Sequence, residues 1–320
     1  MTKFQVYDIE EFLSARLDGR DQDHLVEVFV PSRGATLIYA VPKLLKTWIA
    51  LDLAIAAACG QDFLGRFSVP KPVRVLLVQI EDRAVELQKR LLNIVTANGS
   101  LPAQGMLHII PRRSLNLMDE ACRKEFHKVL AQVRPDIVIL DVFRRFFRGD
   151  VNSPKESAEF LEILDEFRDK YGCAIVLVHH SRKDTKGGMQ THALGSTYLA
   201  AWADVLIQIT NKQTQGDSIS VELEIESKSG SEPDPVRVVF NPNGSPILVA
   251  ESGGRDSEIE RARAALEEKW TVKELTTVLG VSAAKAQRLI DDWVATDKVD
   301  LVETQDRGRR VYRFKPVKLL

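Results

Sequence analysis

The sequence predicts an α/β fold: a core with a mostly parallel sheet over residues 25–250, then a smaller domain of different make-up over 257–320. Three observations predict it. Short runs rich in Val, Ile and Leu alternate with amphipathic helical stretches in the first part, as strands buried on both faces and joined by crossover helices should. A polar Gly/Ser stretch, residues 251–256 (ESGGRD), reads as a linker. Beyond it the spacing changes to three helices and a hairpin.

The predicted strands are 35–40 (ATLIYA), 73–80 (VRVLLVQI), 106–110, 136–142 (DIVILDV), 174–180 (AIVLVHH) and 204–210 (DVLIQIT). Helices are expected between them at 46–59, 83–97, 119–133 and 154–171. This alternation implies right-handed crossovers. Residues 218–227 (SISVELEIES) alternate strictly and 236–240 follow a Pro-containing turn, so an antiparallel hairpin closes the edge of the sheet. Residues 1–24 stand apart as an N-terminal segment. In the second domain, helices are expected at 257–269, 271–279 and 282–296, with Thr271 placed as a cap and Glu274 three residues on. Residues 299–304 and 310–314 flank a hairpin turn at 305–308 (QDRG). That outline is a winged helix-turn-helix.

With 44% hydrophobic and 28% charged residues, the chain is no disordered polymer. Its 44 Lys and Arg against 45 Asp and Glu leave a net charge of −1, so any contact with nucleic acid must come from a local patch. Cys59, Cys122 and Cys173 are odd in number and far apart, which argues against a disulfide framework or zinc knuckle and fits a reducing cytoplasm. The start, MTKFQVYDIEEF, has no apolar signal core, and the apolar stretch 48–59 is broken by Asp52 and too short for a bilayer; no membrane partner is expected.

Residues 40–47 (AVPKLLKT) lie between a predicted buried strand and a helix, in the frame of the phosphate loop G-x-x-x-x-G-K-[ST]. Lys46 and Thr47 are present. Ala40 and Leu45 stand where the frame has glycines. Backbone N–H groups of such a loop must wrap phosphates closely, and a Cβ obstructs that approach or the φ it needs. Lys43 adds positive charge, and the helix beginning near Lys46 has an anion-friendly N-terminus. Taken alone, the octapeptide reads better as an ordinary strand–turn–helix corner with two surface lysines.

The wider stretch 30–54, with Pro42, Lys43, Lys46, Thr47 and Trp48 matching G-x-P-K-x-G-K-[ST]-W, resembles the RepA-like branch of RecA-fold P-loop ATPases, the plasmid-replication helicases and their relatives. The resemblance continues through 60–67 (GQDFLGRF), 75–82 (VLLVQIED), 138–145 (VILDVFRR), 179–183 (HHSRK) and 194–197 (LGST), and covers about residues 25–245. It implies a RecA-like core, ATP and Mg²⁺ as ligands, and assembly into a ring or filament. Asp141, at the end of an apolar run, faces the ligand crevice of an open sheet and would hold Mg²⁺ with Thr47; its plainer role is to cap the next turn. The resemblance places Glu81 as the carboxylate that orients the attacking water, although an acid at a helix start needs no catalysis to be favoured. It makes His180 a γ-phosphate sensor, while His179 reads as a structural residue. Arg182, Lys183 and Lys186 form a basic segment before Gly187-Gly188. Leu194 replaces an Arg that the family often uses across a subunit interface, and Gly149-Asp150-Val151-Asn152 lacks the Glu of the family's G-D-E-N. With Ala40 and Leu45, these departures predict weak ATP binding and weak or absent hydrolysis.

Arg144, Arg145 and Arg148 interleave with Phe143, Phe146 and Phe147, either to stack on a single strand or, as the favoured reading, to pack the Phe side chains into a core or interface. In the C-terminal domain, residues 257–320 hold 13 basic and 11 acidic side chains. Lys285 and Arg288 lie on the expected recognition helix, and the segment 307–318 carries Arg307, Arg309, Arg310, Arg313, Lys315 and Lys318 without an acid, so DNA is the expected partner ahead of a protein-docking role, although Asp291 and Asp292 oppose it nearby. The overall expectation is a DNA-associated replication or processing accessory with impaired nucleotide handling. An active helicase with an unorthodox loop, and a winged-helix transcriptional regulator whose core oligomerises, are the alternatives.

Overall fold

A computed structural model describes residues 8–14, 24–111, 114–150, 153–181, 197–229, 233–241, 245–251, 262–263, 265–266, 269–279, 283–295, 299–305 and 309–315. Helix α1 (Ile9–Ser14) and the short pair β1 (His24–Val26) and β2 (Val30–Pro31) precede the core. The core then runs β3 (Ala35–Ala40), α2 (Lys46–Cys59), β4 (Val75–Gln79), α3 (Ala84–Asn98), β5 (Leu107–Pro111), α4 (Glu120–Val133), β6 (Ile137–Asp141), α5 (Phe143–Phe146), α6 (Pro154–Tyr171), β7 (Ala174–His180) and α7 (Thr197–Trp202). Strands β8 (Val205–Gln215), β9 (Ser218–Ser227), β10 (Val236–Asn241) and β11 (Ser245–Glu251) complete it.

These strands form one nine-stranded sheet in the order β11-β10-β9-β8-β3-β7-β6-β4-β5. Strands β3 to β8 are mutually parallel, and β9, β10 and β11 extend one side antiparallel. Strand β3 is thus flanked by β7 and β8, and one strand separates it from β6. The side-chain period of two divides the strands between two apolar clusters. Val75, Leu77, Ile137, Ile139, Val176 and Val178 pack with α2 and with Leu87 and Ile94 of α3. Leu76, Val78, Val138, Leu140, Ile175 and Leu177 pack on the other face with Phe126, Phe160, Leu164 and Leu199 of α4, α6 and α7. Helix α2 is rich in Ala and buried along nearly its whole length, so small residues let it pack closely.

Local signals set the helix ends. Asp119 caps α4 by accepting from Cys122 N at 2.8 Å, and Ser153 caps α6 from Glu156 N with Pro154 in the first turn. Gly60 ends α2 in the left-handed region, donating to Ala56 and Ala57 carbonyls. Among the described residues no helix is long and apolar enough to cross a membrane.

Residues of the C-terminal part form a separate core. Strands β12 (Trp270–Thr271), β13 (Val299–Gln305) and β14 (Arg309–Phe314) make a sheet in the order β12-β14-β13, beside α8 (Val272–Leu279) and α9 (Ala283–Ala295). Trp270, Leu275, Ile290, Trp293 and Tyr312 fill its interior. Glu274 accepts from both the amide and the hydroxyl of Thr271 at 2.8 Å, so the reach-back half of a capping box holds the start of α8. Of the helix expected at 257–269, residues 262, 263 and 265 are helical; 257–261, 264, 267 and 268 lie outside the described residues.

Candidate nucleotide site

The chain turns from β3 into α2 through residues 41–45. Backbone φ is +68° at Lys43 and +56° at Leu45, while Leu44 between them keeps the ordinary sign. Alternating hand turns successive N–H groups to one side and makes a concave nest, the shape that receives an anion. Leu45, not glycine, takes the left-handed position at the N-cap of α2, at a cost of about 1–2 kcal/mol. Its side chain is half-buried and packs against the α2-side core with Val41 and Trp48. Ala40 does not share the inverted hand, so the need for glycine in this loop falls on Leu45 and Lys43 rather than on Ala40.

Lys46 is 5% exposed, and its Nζ donates to the carbonyls of Ala40 at 3.0 Å and Val41 at 2.9 Å. Burial pulls its pKa down to about 8, against the charges of Asp141 and Glu81. Asp141 ends β6 and pairs in register with Gln79 of β4 and Val178 of β7; the Asp141–Val142 peptide is cis. Both of its carboxylate oxygens are buried and complete no hydrogen bond. Burial pushes it up to about 6; the Thr47 hydroxyl and Lys46 pull the other way, and Glu81 and Asp82 add to the rise. Glu81 follows β4, and His180 Nε2 stands 3.6 Å from its Oε2. That contact first, then the charges of Arg145 and Lys46, hold Glu81 below the usual carboxylate range despite its partial burial.

Ala40, Lys43, Leu45, Lys46, Thr47, Glu81, Asp141 and His180 therefore meet at the C-terminal ends of β3, β4, β6 and β7, where an open parallel sheet has its crevice. His179 points to the opposite face and packs edge-on to Phe143 at 4.9 Å. Phe143, Phe146 and Phe147 are at most 1% exposed, which leaves no ring for stacking on a strand of nucleic acid. Arg144 is tied to the Gly149 carbonyl and Arg148 to Ser114, so Arg145 alone of the three bears on Glu81.

One site residue carries no signal in the sequence motifs. Gln79 is fully buried in β4, accepts from Asp82 N at 3.0 Å, and leaves its Nε2 without a partner beside Asp141. It fixes the turn that presents Glu81. The only hint is a polar residue inside the run VRVLLVQI.

The predicted DNA residues are far from this crevice in sequence and belong to the C-terminal core's own elements. Lys285 and Arg288 lie on α9, and Arg309, Arg310 and Arg313 on β14; Arg310 and Arg313 are exposed. Lys315 is engaged by Asp300 at 3.3 Å, so an acid from β13 does bear on the basic segment. Arg307, Leu194 and the segment from Arg182 to Lys186 lie outside the described residues.

A second buried acid lies near the site but outside its chemistry. Asp52 of α2 is 3% exposed, accepts weakly from Asn98, and burial raises its pKa to about 6. A raised acid binds more protons folded than unfolded, so its charge costs stability as pH rises from about 4 to about 6, and the cost is full above that. Asp52→Asn is expected to be about 3 kcal/mol more stable than the unaltered chain at pH 8 and nearly equal to it at pH 4. Denaturant melts across that range check this.

A model of the AAA domain family matches residues 9–186, more than half of the chain. A comparison with curated proteins finds no match. Among solved structures, the fold is similar to that of a KaiC-like protein, PH0186, from the hyperthermophilic archaeon Pyrococcus horikoshii OT3. That protein is 13% identical, the match covers 74% of this chain and 98% of the other, and the TM-score is 0.50. At this identity the likeness concerns the fold, and the large mostly parallel sheet fits a RecA-like core.

Proposed function

The chain belongs to the AAA domain family, and from that premise we propose that it is a DNA-associated, self-assembling protein of ATPase fold that binds ATP weakly and hydrolyses it very slowly or not at all. The observation that carries this reading is the condition of the loop. Its backbone keeps the alternating hand of a phosphate nest with no glycine in it, and Lys46 is held by the loop's own carbonyls. A triphosphate must draw Lys46 off two hydrogen bonds, each worth about 1 kcal/mol, and must fit beneath side chains that glycines would not have.

The residues fit a magnesium-bound nucleotide, because Asp141 holds both carboxylate oxygens buried beside the Thr47 hydroxyl with neither in a completed hydrogen bond, and oxygen is the donor a hard cation takes. Asp141 and Thr47 would hold Mg²⁺, which when bound neutralises phosphate charge. Lys46 would bind phosphate. Glu81, kept ionised by His180, would orient water, with Gln79 fixing the turn that carries it. His180 joins this carboxylate to β7, which leads into the basic segment at Arg182 and Lys183.

DNA association is assigned to a winged helix formed by the C-terminal elements, supported by the exposed Arg310 and Arg313 on β14 and by a helix carrying Lys285 and Arg288. Self-assembly into a ring or filament rests on the resemblance to RepA-like ATPases. The metal assignment is tested by equilibrium binding of a fluorescent ATP analogue with and without Mg²⁺. The unaltered protein should bind more tightly with the metal, and Asp141→Asn should lose that difference. A magnesium effect that survives in Asp141→Asn would remove Asp141 from the metal's shell.

A further inference from the structure

Strand β8 lies beside β3, in parallel register as far as Tyr39 opposite Gln208. Strand β3 then ends and turns into the loop, whereas β8 continues to Gln215. At about 3.3 Å per residue, its next few residues climb alongside the loop. There the pairing with β9 slips: Thr210 opposes Glu222, but Gln213 opposes Ser220, so β8 carries one extra residue. Asn211 takes φ +49° at this bulge, and its amide bonds the Glu222 carboxylate; Thr210 is tied to Glu224 at 3.1 Å. Bulges of this kind re-aim a side chain next to a site. Here the re-aimed residue is Lys212, whose Nζ lies 3.5 Å from the carbonyl of Lys43, the residue that begins the left-handed alternation.

Lys43, Lys46 and Lys212 thus gather at one loop. Among the described residues no carboxylate forms an ion pair with Lys43 or Lys212, although both are exposed. Three like charges brought together by a pinned bulge favour an anion between them. We infer that Lys212 is a phosphate-binding residue of the same subunit, reaching the outer phosphates of a bound nucleotide from the β8 bulge and adding charge where the loop lacks glycine. The inference rests on the nucleotide reading of the loop, with its own probe in tripolyphosphate.

The test is calorimetry at low salt on the full chain, with ATP, ADP, AMP and tripolyphosphate, for the unaltered protein, Lys212→Met and Lys212→Arg. Lys212→Met should weaken ATP and tripolyphosphate about tenfold, ADP less, and AMP hardly at all, while Lys212→Arg retains most of the affinity. An unchanged ATP affinity in Lys212→Met overturns the inference. So does an equal loss for all three nucleotides, which would mean that the residue acts by shaping the loop. If tripolyphosphate binds and depends on Lys212 while no nucleotide binds, the phosphate role stands and the nucleotide reading falls. If neither binds to the unaltered protein, both fall.

Discussion

Leu45→Gly, Ala40→Gly should bind ATP about a hundredfold more tightly than the unaltered chain, the equivalent of roughly 3 kcal/mol of recovered phosphate binding. The geometry says which change does more. Leu45 occupies the left-handed region at the N-cap of α2, and Ala40 does not, so most of the gain should come with Leu45→Gly alone. Stability should move little in the single variant. Relief of a left-handed Leu favours the fold by about 1–2 kcal/mol, and removal of a half-buried side chain from the core takes back a similar amount. Calorimetry with ATP and Mg²⁺, alongside a thermal melt, checks both statements. A double variant with no gain in affinity would show that Lys46, docked on Ala40 and Val41, is the larger obstacle.

Replacing Arg309, Arg310 and Arg313 together by Ala should reduce DNA affinity by more than tenfold near physiological salt and flatten its salt dependence. Every phosphate that the protein no longer neutralises takes about 0.9 off the slope of log K against log salt. Lys315 is left out of the set because Asp300 already holds it. Binding curves on duplex DNA at several salt concentrations decide the matter: equal affinity and equal slope in the triple variant place the DNA surface elsewhere. Weaker binding with no change of slope would point to altered folding of the β13–β14 hairpin.

Where local chemistry fixes an element, sequence and structure agree closely. Helices 46–59 and 154–171 and strands 174–180 and 218–227 have the predicted ends, because Gly60, Ser153-Pro154 and Gly172 stop or start the chain by themselves. Where pairing partners decide, local pattern says less. Strand β8 runs to Gln215 rather than 210, since the polar residues NKQTQ gain their strand conformation from β9, and β11 has a Pro near its start that hides it. Helices α5 and α7 are too short to show a period. The site residues at motif positions are legible in the sequence: Lys46, Thr47, Glu81, Asp141 and His180 each follow or end an apolar run, and the sheet brings those run ends to one crevice. Gln79 and Lys212 are not legible. One is a polar residue in an apolar strand, the other depends on a bulge, and neither spacing has meaning before the sheet is assembled.

The most direct measurement of the central claim is a calorimetric titration of ATP with Mg²⁺ into the unaltered full chain and into Lys46→Ala. A built but weak nucleotide site predicts a dissociation constant well above the micromolar range, on the order of 0.1–1 mM or about 4–5.5 kcal/mol of binding, and loss of that binding in Lys46→Ala. Micromolar binding by the unaltered chain, or weak binding that Lys46→Ala leaves intact, would contradict it.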